Sequence, residues 1–361
     1  MRGSHESREP IDGRDGRSAR KRSPLMGDVA RRAGVSQMTV SRVINERSGV
    51  RPDTRERVLA AMRELNYRPN VAARALVTGR SRTLGVVSFD TILYGPASTL
   101  HGIESAARPA GYYVSIASLR SLDRRSMREA LDRLYGQSVD GIIVIAPQYS
   151  IVEALWQLSV DLPSVVVEGG VGAGSPVVAV DQYTGAARVT QHLLALGHET
   201  VWHISGPENW LEARGRREGW RDALEKEGRP LPPVMAGDWS PRAGYEHGRV
   251  LAAAGEATAI FVANDQMALG VLRALHEAGV HVPGEVSVVG FDDVPEAAFF
   301  SPPLTTVRQD FSEVGKRSLH LLLAQVEGRP LETERVVIEP ELVVRQSSGP
   351  AGAGTRLGPE R

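Results

Sequence analysis

The stretch Asp28-Val-Ala-Arg-Arg-Ala-Gly-Val-Ser-Gln-Met-Thr-Val-Ser-Arg42 decides the reading of this chain. Its pattern fits two short helices around a glycine turn. The first covers 28–33, with Val29 and Ala30 facing inward beside Met26. Gly34 supplies the left-handed or crowded backbone that a tight turn needs. Val35 plugs the core, and Ser36 is a good N-cap. The second helix runs from Gln37 to about Asn45, with Val40 and Val43 packed inward. Gln37, Met38, Ser41 and Arg42 then fall mostly on the other side. In a helix-turn-helix, the start of the second helix meets base edges in the major groove. Arg42 suits guanine O6 and N7, Gln37 suits adenine, and Met38 offers an apolar surface to a thymine methyl. Thr39 is small enough to approach a phosphate.

Gly49 and Pro52 mark a loop. A third helix follows, from Asp53 or the preceding turn to about Leu65, with Val58, Leu59, Met62 and Leu65 as its apolar stripe. Tyr67 is expected to pack back on this head with its hydroxyl free for a phosphate. Pro69 interrupts the pattern, and Asn70 then caps a segment over 71–76. Ala72, Ala73 and Leu76 give that segment a narrow apolar face. A helix so short needs a partner helix, a DNA groove, or both. Two copies side by side could enter a minor groove, with Leu76 wedged between base steps.

The charge distribution agrees. Residues 1–82 hold 19 Arg/Lys against 9 Asp/Glu, while the remainder holds 24 against 34. A head of net +10 on a body of net −10 suits a polyanion partner for the head alone. Residues 1–23 have almost nothing to bury and are expected to be disordered. The absence of cysteine excludes disulfides and thiolate chemistry. No apolar run follows the N-terminal arginines and no stretch is apolar enough to cross a membrane, so a cytoplasmic location is expected.

Beyond the head, strands are expected over 83–89, 112–117, 139–145, 164–167, 177–180, 200–205, 259–263 and 286–291, with helices between them. Near-continuous apolar strands alternating with helices mean parallel sheets covered on both faces. Ligands bind such sheets outside the carboxyl ends of the strands. Phe89, Asp90 and Tyr94 lie there in the first half, as do Arg214, Trp239, Asn264, Asp292 and Gln309 in the second. Carboxylates, amides and an arginine bind sugar hydroxyls, and an aromatic face stacks on a sugar ring. Asp265 and Asp293 could instead hold helix starts or turns.

The run from Met26 to Leu76 closely resembles the head of the LacI/GalR family of bacterial transcriptional regulators. Asp28-Val-Ala, Ala33-Gly-Val-Ser36, Thr39-Val-Ser-Arg-Val-Ile-Asn45 and Leu65-Asn-Tyr-Arg-Pro-Asn70 match its pattern in order and spacing. In the body, Leu196-Gly-His198, Val262-Ala-Asn-Asp-Gln-Met-Ala-Leu-Gly270, Val289-Gly-Phe-Asp-Asp293 and Pro303-Leu-Thr-Thr306 resemble its regulatory domain. The resemblance implies an all-α helix-turn-helix head with a hinge helix, and a two-lobed α/β body like a periplasmic sugar-binding protein with parallel sheets. It implies DNA contacts by Gln37, Met38, Thr39, Ser41, Arg42, Asn45, Tyr67, Asn70, Ala73 and Leu76, with specificity at Gln37 and Met38. It also implies three crossings between lobes, an effector site at Arg214, Asn264, Asp292 and Gln309, and Trp239 as an aromatic wall. The expected divisions are a tail over 1–23, the head over 24–68, the hinge and linker over 69–82, the body over 83–346 and a flexible tail over 347–361. Lobe one takes about 83–180 and 309–330, and lobe two about 181–308 and 331–346. Pro109 departs from the pattern and should interrupt the end of the first body helix. No leucine heptad follows Ser347, so a dimer is expected.

An enzyme is not expected. The chain has no Gly-x-Ser-x-Gly elbow, phosphate loop or dinucleotide fingerprint, and its histidines lack metal-site spacing. No cofactor or metal is therefore expected. A transport-type binding protein is disfavoured by the complete head, and a phosphorylated effector would want more cations than Arg214 alone. The resulting expectation is a homodimeric repressor on a palindromic operator, controlled by a small sugar or related metabolite. Corepression or activation is the alternative within the same family.

Overall fold

The computed structural model describes residues 24–44, 49–68, 79–89, 92–121, 123–156, 158, 161–168 and 175–352. The chain divides into two compact units, residues 1–78 and 79–361. The first holds α1 (Met26–Ala33), α2 (Gln37–Ile44) and α3 (Pro52–Glu64) around a core of Val29, Ala33, Val40, Val43, Val58 and Ala61. Gly34 ends α1 at φ 66° and ψ 40°, the left-handed conformation that spares a side chain from steric strain. Ser36 Oγ accepts the backbone N–H of Thr39 at 3.2 Å and so caps α2. Leu59 departs from its expected core position: it is exposed, and Ala61 is buried instead. The inward face of α3 runs through Val58, Ala61, Met62 and Leu65, which are one helical turn apart. Asn45 and the expected hinge helix, with Asn70, Ala73 and Leu76, lie outside the described residues.

The second unit begins with five strands of one lobe: β1 (Thr83–Ser88), β2 (Tyr113–Ser118), β3 (Gly141–Ile145), β4 (Ser164–Val167) and β5 (Val177–Val180). The helices α4 (Tyr94–Ala107), α5 (Arg124–Gly136) and α6 (Tyr149–Trp156) connect the first four. The chain then crosses to a second lobe at Asp181, which caps α7 (Gln182–Ala195) by accepting the N–H of Thr184. There β6 (Trp202–Ser205), α8 (Leu211–Lys226), β7 (Met235–Ala236), α9 (Pro241–Ala254), β8 (Ala259–Val262), α10 (Asp265–Glu277) and β9 (Ser287–Val289) form a parallel sheet ordered β7-β6-β8-β9. After β10 (Thr306–Arg308) the chain returns as α11 (Phe311–Val326) and β11 (Arg335–Ile338), then crosses again to β12 (Glu341–Val343), which pairs antiparallel with β10.

The first sheet is ordered β11-β5-β4-β3-β1-β2 and is parallel throughout. Its pleat sends Val87, Ile142 and Val144 towards α5 and α6, and Val86, Ile143 and Ile145 towards α4 and α11. Both faces are buried, as near-continuous apolar strands require.

Two expectations are corrected. Residues 335–338, expected in lobe two, form the edge strand of the first sheet, in register from Arg335 opposite Val177 to Ile338 opposite Val180. The four-residue Arg-Val-Val-Ile segment carries no signal of which sheet it joins; the pairing with β5 decides it. The expected flexible tail also begins too early. Ser347 is fully buried, donates from its hydroxyl to the Val288 carbonyl and accepts the N–H of Thr305. Ala351 N–H continues this attachment by donating to Leu196 O at 2.9 Å. A Gly/Pro-rich composition is not enough to fray a segment that satisfies a sheet edge. Helix α4 ends at Ala107, two residues before Pro109, although Arg108 keeps helical dihedrals at φ -57° and ψ -52°.

The crossing of α4 and α11 depends on two glycines. A Cβ on Gly102 would overlap the Phe311 carbonyl, and one on Gly315 would overlap the Gly102 backbone. Gly102→Val should therefore destabilise the body by about 3 kcal/mol or more through overpacking. Gly136→Ala, where a Cβ meets nothing within 4 Å, should change stability little. Urea unfolding followed by tryptophan fluorescence measures both.

Candidate functional site

The head presents Gln37, Met38 and Arg42 on its exposed surface, while Val40 and Val43 anchor α2 in the core. Met38 is 67% exposed and places an apolar side chain on the same surface as Gln37 and Arg42. Arg42 reaches back so that Nη2 lies 3.9 Å from Met38 Sδ, one helical turn away. Thr39 is half-buried with its hydroxyl 3.0 Å from that of Ser36, and Ser41 is half-buried. Tyr67 packs partly buried against the head core, and burial pushes its hydroxyl pKa up. The residue types and their exposure allow the contacts with bases and phosphates expected from the sequence.

In the body, a cavity of about 300 Å³ lies between the lobes. Its polar part is organised by a buried ring of side chains. Arg216 Nε donates to Gln182 Oε1 (2.9 Å), Gln182 Nε2 donates to Gln309 Oε1 (2.8 Å), and Gln309 Nε2 donates to Asp292 Oδ1 (2.7 Å). Arg216 Nη2, 3.5 Å from Asp292 Oδ1, closes the ring. Arg216 Nη1 also donates to the Ala263 carbonyl, and its guanidinium lies 3.9 Å from the centre of the Phe291 ring. Gln182 opens α7 just past the first crossing, and Gln309 sits at the second. The lobes also touch directly where Leu211 N–H donates to the Pro147 carbonyl at 2.8 Å and Asn209 Nδ2 donates to Gln148 Oε1 at 3.0 Å.

The apolar part consists of Tyr94, Trp210, Trp239 and Phe311 with Ile92, Leu93 and Pro96. Tyr94 meets Phe311 edge-on at 5.9 Å, and Trp210 meets Trp239 edge-on at 5.6 Å. Trp239 has φ 73° and Asp292 φ 116°, sparsely populated conformations for side chains of their size. Asn264 helps hold the first: its Nδ2 donates to the Trp239 carbonyl at 3.2 Å, while its Oδ1 caps α10 by accepting the N–H of Met267. Glu168, Glu212 and Asp238 also line the cavity.

Of the residues expected here, Tyr94, Trp239, Asn264, Asp292 and Gln309 do line the cavity. Arg214 does not. Its side chain is 61% exposed and its Nε lies 2.9 Å from Glu218 Oε1 on the outer face of α8. The inward face of that helix runs Ala213, Arg216, Trp220, Ala223, so the cavity's arginine is Arg216, two positions on. Phe89 packs instead into the first lobe's own core, and Asp90 lies outside the described residues. Asp265 and Asp293 take supporting roles. Asp265 accepts from Val294 N–H and the Thr306 hydroxyl, and Asp293 pairs with Arg308 and Arg345.

The two units of the chain resemble known proteins. The model for bacterial regulatory proteins of the lacI family matches residues 25–70, and that for a periplasmic binding protein-like domain matches 190–348. The HTH-type transcriptional repressor PurR of Haemophilus influenzae (strain PittEE) is 34% identical over 333 residues, covering 89% of this chain and 97% of the relative. The chain belongs to the LacI family. The lactose operon repressor of Escherichia coli (strain K12) is 35% identical over 318 residues, covering 86% of this chain and 87% of that relative. A crystal structure of the lac repressor dimer bound to operator and the anti-inducer ONPF superposes with a TM-score of 0.82 at 33% identity, covering 91% of this chain and 100% of that one. A complex of the regulator CelR with cellobiose gives 0.67 at 31% identity, covering 90% and 99%. The LacI-family head and body make this chain a DNA-binding transcription regulator, and the PurR and lactose operon relatives are repressors rather than enzymes. Among the described residues no cluster could hold a metal ion, and no helix is long and apolar enough to cross a membrane.

Glu168, Gln182, Trp210, Glu212 and Phe311 belong to the cavity or its supporting ring without being expected there. The face of α8 that identifies Arg216 was visible as the spacing of Ala213, Trp220 and Ala223. Nothing local marks Glu168, which lines the cavity just past the end of β4, or Gln182, which opens α7 and holds the cavity's Arg216 and Gln309 from behind.

The cavity's acids are perturbed. Burial pushes Glu212 up to about 8, with the neighbouring Glu168 adding to the shift, and burial pushes Glu168 up to about 7 and Asp292 to about 6. The folded protein therefore keeps protons that the unfolded chain has already lost above its ordinary glutamate value of 4.5. Stability falls as pH rises from there through about 8. Half-buried His192 and buried His198 and His203, held below their ordinary 6.5, work in the opposite sense only under that pH. Between pH 6.5 and about 8 the ligand-free protein should thus lose thermal stability. Glu212→Gln should raise the midpoint at the upper end and flatten the slope, as scanning calorimetry at several pH values will show.

Proposed function

We propose that this LacI-family regulator represses transcription as a homodimer on a near-palindromic operator, and that a small sugar in the interlobe cleft sets its affinity for DNA. The observation that carries this reading is the buried ring of Arg216, Gln182, Gln309 and Asp292 beside the walls of Trp239 and Trp210. Carboxylate, amide and guanidinium groups fix hydroxyls in direction, and indole faces cover the C–H surface of a pyranose. Relatives whose structures hold ONPG or cellobiose support a saccharide class.

A dimer is supported by apolar side chains left in solvent. Tyr113 and Ile116 stand 66% and 50% exposed on the edge strand β2, and Leu269 and Phe299 are exposed on the second lobe. Exposed apolar side chains on a sheet edge suit pairing with a second copy. Two heads related by a two-fold axis would read two half-sites, one helical turn of DNA or a multiple of it apart. The sugar binds one arrangement of the lobes better than the other, and so shifts the population that holds DNA.

Induction, the release of DNA by sugar, is the default sign. A sugar that instead tightens DNA binding would identify corepression. Both are read from one experiment: fluorescence anisotropy of labelled operator DNA at fixed salt, with and without saccharides that raise the melting temperature. Arg42→Ala should weaken specific binding by about 1–3 kcal/mol while costing non-specific DNA much less. Equal losses on both DNAs remove Arg42 from base reading. Asp292→Ala should flatten the dependence of DNA affinity on sugar concentration, and an unchanged dose–response removes Asp292 from the ligand site.

A further inference from the structure

The cleft's acids outnumber its cations. Glu168, Glu212, Asp238 and Asp292 line it, and among the described lining residues Arg216 is the one cation. That guanidinium is already committed to Gln182, the Ala263 carbonyl and Asp292. Asp292 Oδ1 receives Gln309 as well, Asp238 Oδ1 receives the N–H of Ser240, and Glu168 Oε1 receives the N–H of Val180 at 3.0 Å. Glu212 Oε2 is different: it is buried and accepts no hydrogen bond among the described residues. Leaving a buried carboxylate oxygen without a donor is costly, so the site favours a ligand that brings one.

A second observation is independent of the acids. Four aromatic rings, Tyr94, Trp210, Trp239 and Phe311, line the same cavity, and Trp239 Nε1 is itself buried without a partner. Aromatic faces attract cations as well as sugar C–H surfaces. An anionic ligand, such as a sugar phosphate or a uronate, would meet four acids and, among the described lining residues, no cation that is not already committed. A neutral hydroxyl can pair with Glu212 but gives neither glutamate a reason to lose the proton that burial keeps on it. An ammonium supplies both a donor and the missing charge, and charge-assisted hydrogen bonds are the stronger kind.

We propose that the ligand is an aminated sugar whose ammonium group is held by Glu212 and Glu168, with its pyranose ring against Trp239. This rests on the sugar reading above and names the class of sugar. Glu212 is then the residue that determines specificity. The raised pKa of both glutamates fits a pair that lacks its countercharge until the ligand arrives.

The test is calorimetric titration of the full chain at neutral pH with a matched panel. Glucose, galactose and cellobiose are each paired with their 2-amino-2-deoxy and N-acetyl counterparts. In at least one series the amine should bind about tenfold tighter than its parent or more, and N-acetylation, which removes the charge, should abolish the gain. Glu212→Gln should bring the ratio of amine to parent affinity close to one. Its expected higher melting temperature at the alkaline end separates lost selectivity from misfolding. A parent or N-acetyl sugar that binds as tightly as the amine overturns the aminated class and leaves the sugar reading standing. So does an amine preference that survives Glu212→Gln. No binding by any member of the panel overturns the sugar reading itself, and the inference with it.

Discussion

The buried ring of Arg216, Gln182, Gln309 and Asp292 is the constraint on which the body depends. Each member comes from a different segment, and two of them sit where the chain passes between lobes. Removing one partner would leave a buried charge or amide unpaired, which costs several kcal/mol more than a surface contact of the same length. The relative position of the lobes and the chemistry of the cleft are therefore the same problem. A ligand that competes for Asp292 or Gln309 acts on groups that also bind the crossings together. The direct seam at Pro147 and Leu211 adds a second tie, and it ends at Trp210, which faces the same cavity.

Much of this was legible in the sequence, and for identifiable reasons. The head was readable because its elements are specified locally: Gly34 for the turn, Ser36 for the cap, Val40 and Val43 for the inward face of α2. The strands of the first sheet were readable because burial on both faces makes them continuously apolar. What failed was information that only tertiary contact supplies. Arg214 and Arg216 are two residues apart, and a helix separates them onto different faces; choosing between them required the register of α8 against its core. Strand β11 is too short to declare its sheet. Ser347 looks like tail sequence until its hydroxyl is seen closing two backbone groups of the second lobe.

The two halves of the molecule differ in what they ask of solvent. The head keeps charged and apolar side chains exposed on α2, at little cost, where a DNA groove can take them up. The body does the reverse and buries acids that carry raised pKa values. Such a cleft is less stable when empty than an apolar one would be, and a ligand that supplied hydrogen-bond donors would relieve part of that cost. A site of this kind is suited to regulation, because the free energy released on filling it is available to bias one arrangement of the lobes over another.

Coupling between cleft and head is the central claim, and thermodynamic reciprocity tests it most directly. The dissociation constant of a saccharide that stabilises the protein should be measured by calorimetry for the full chain free and saturated with operator DNA. If the sites are coupled, the two constants differ, and by the same factor by which that saccharide changes operator affinity. Identical constants with and without operator would contradict the coupling.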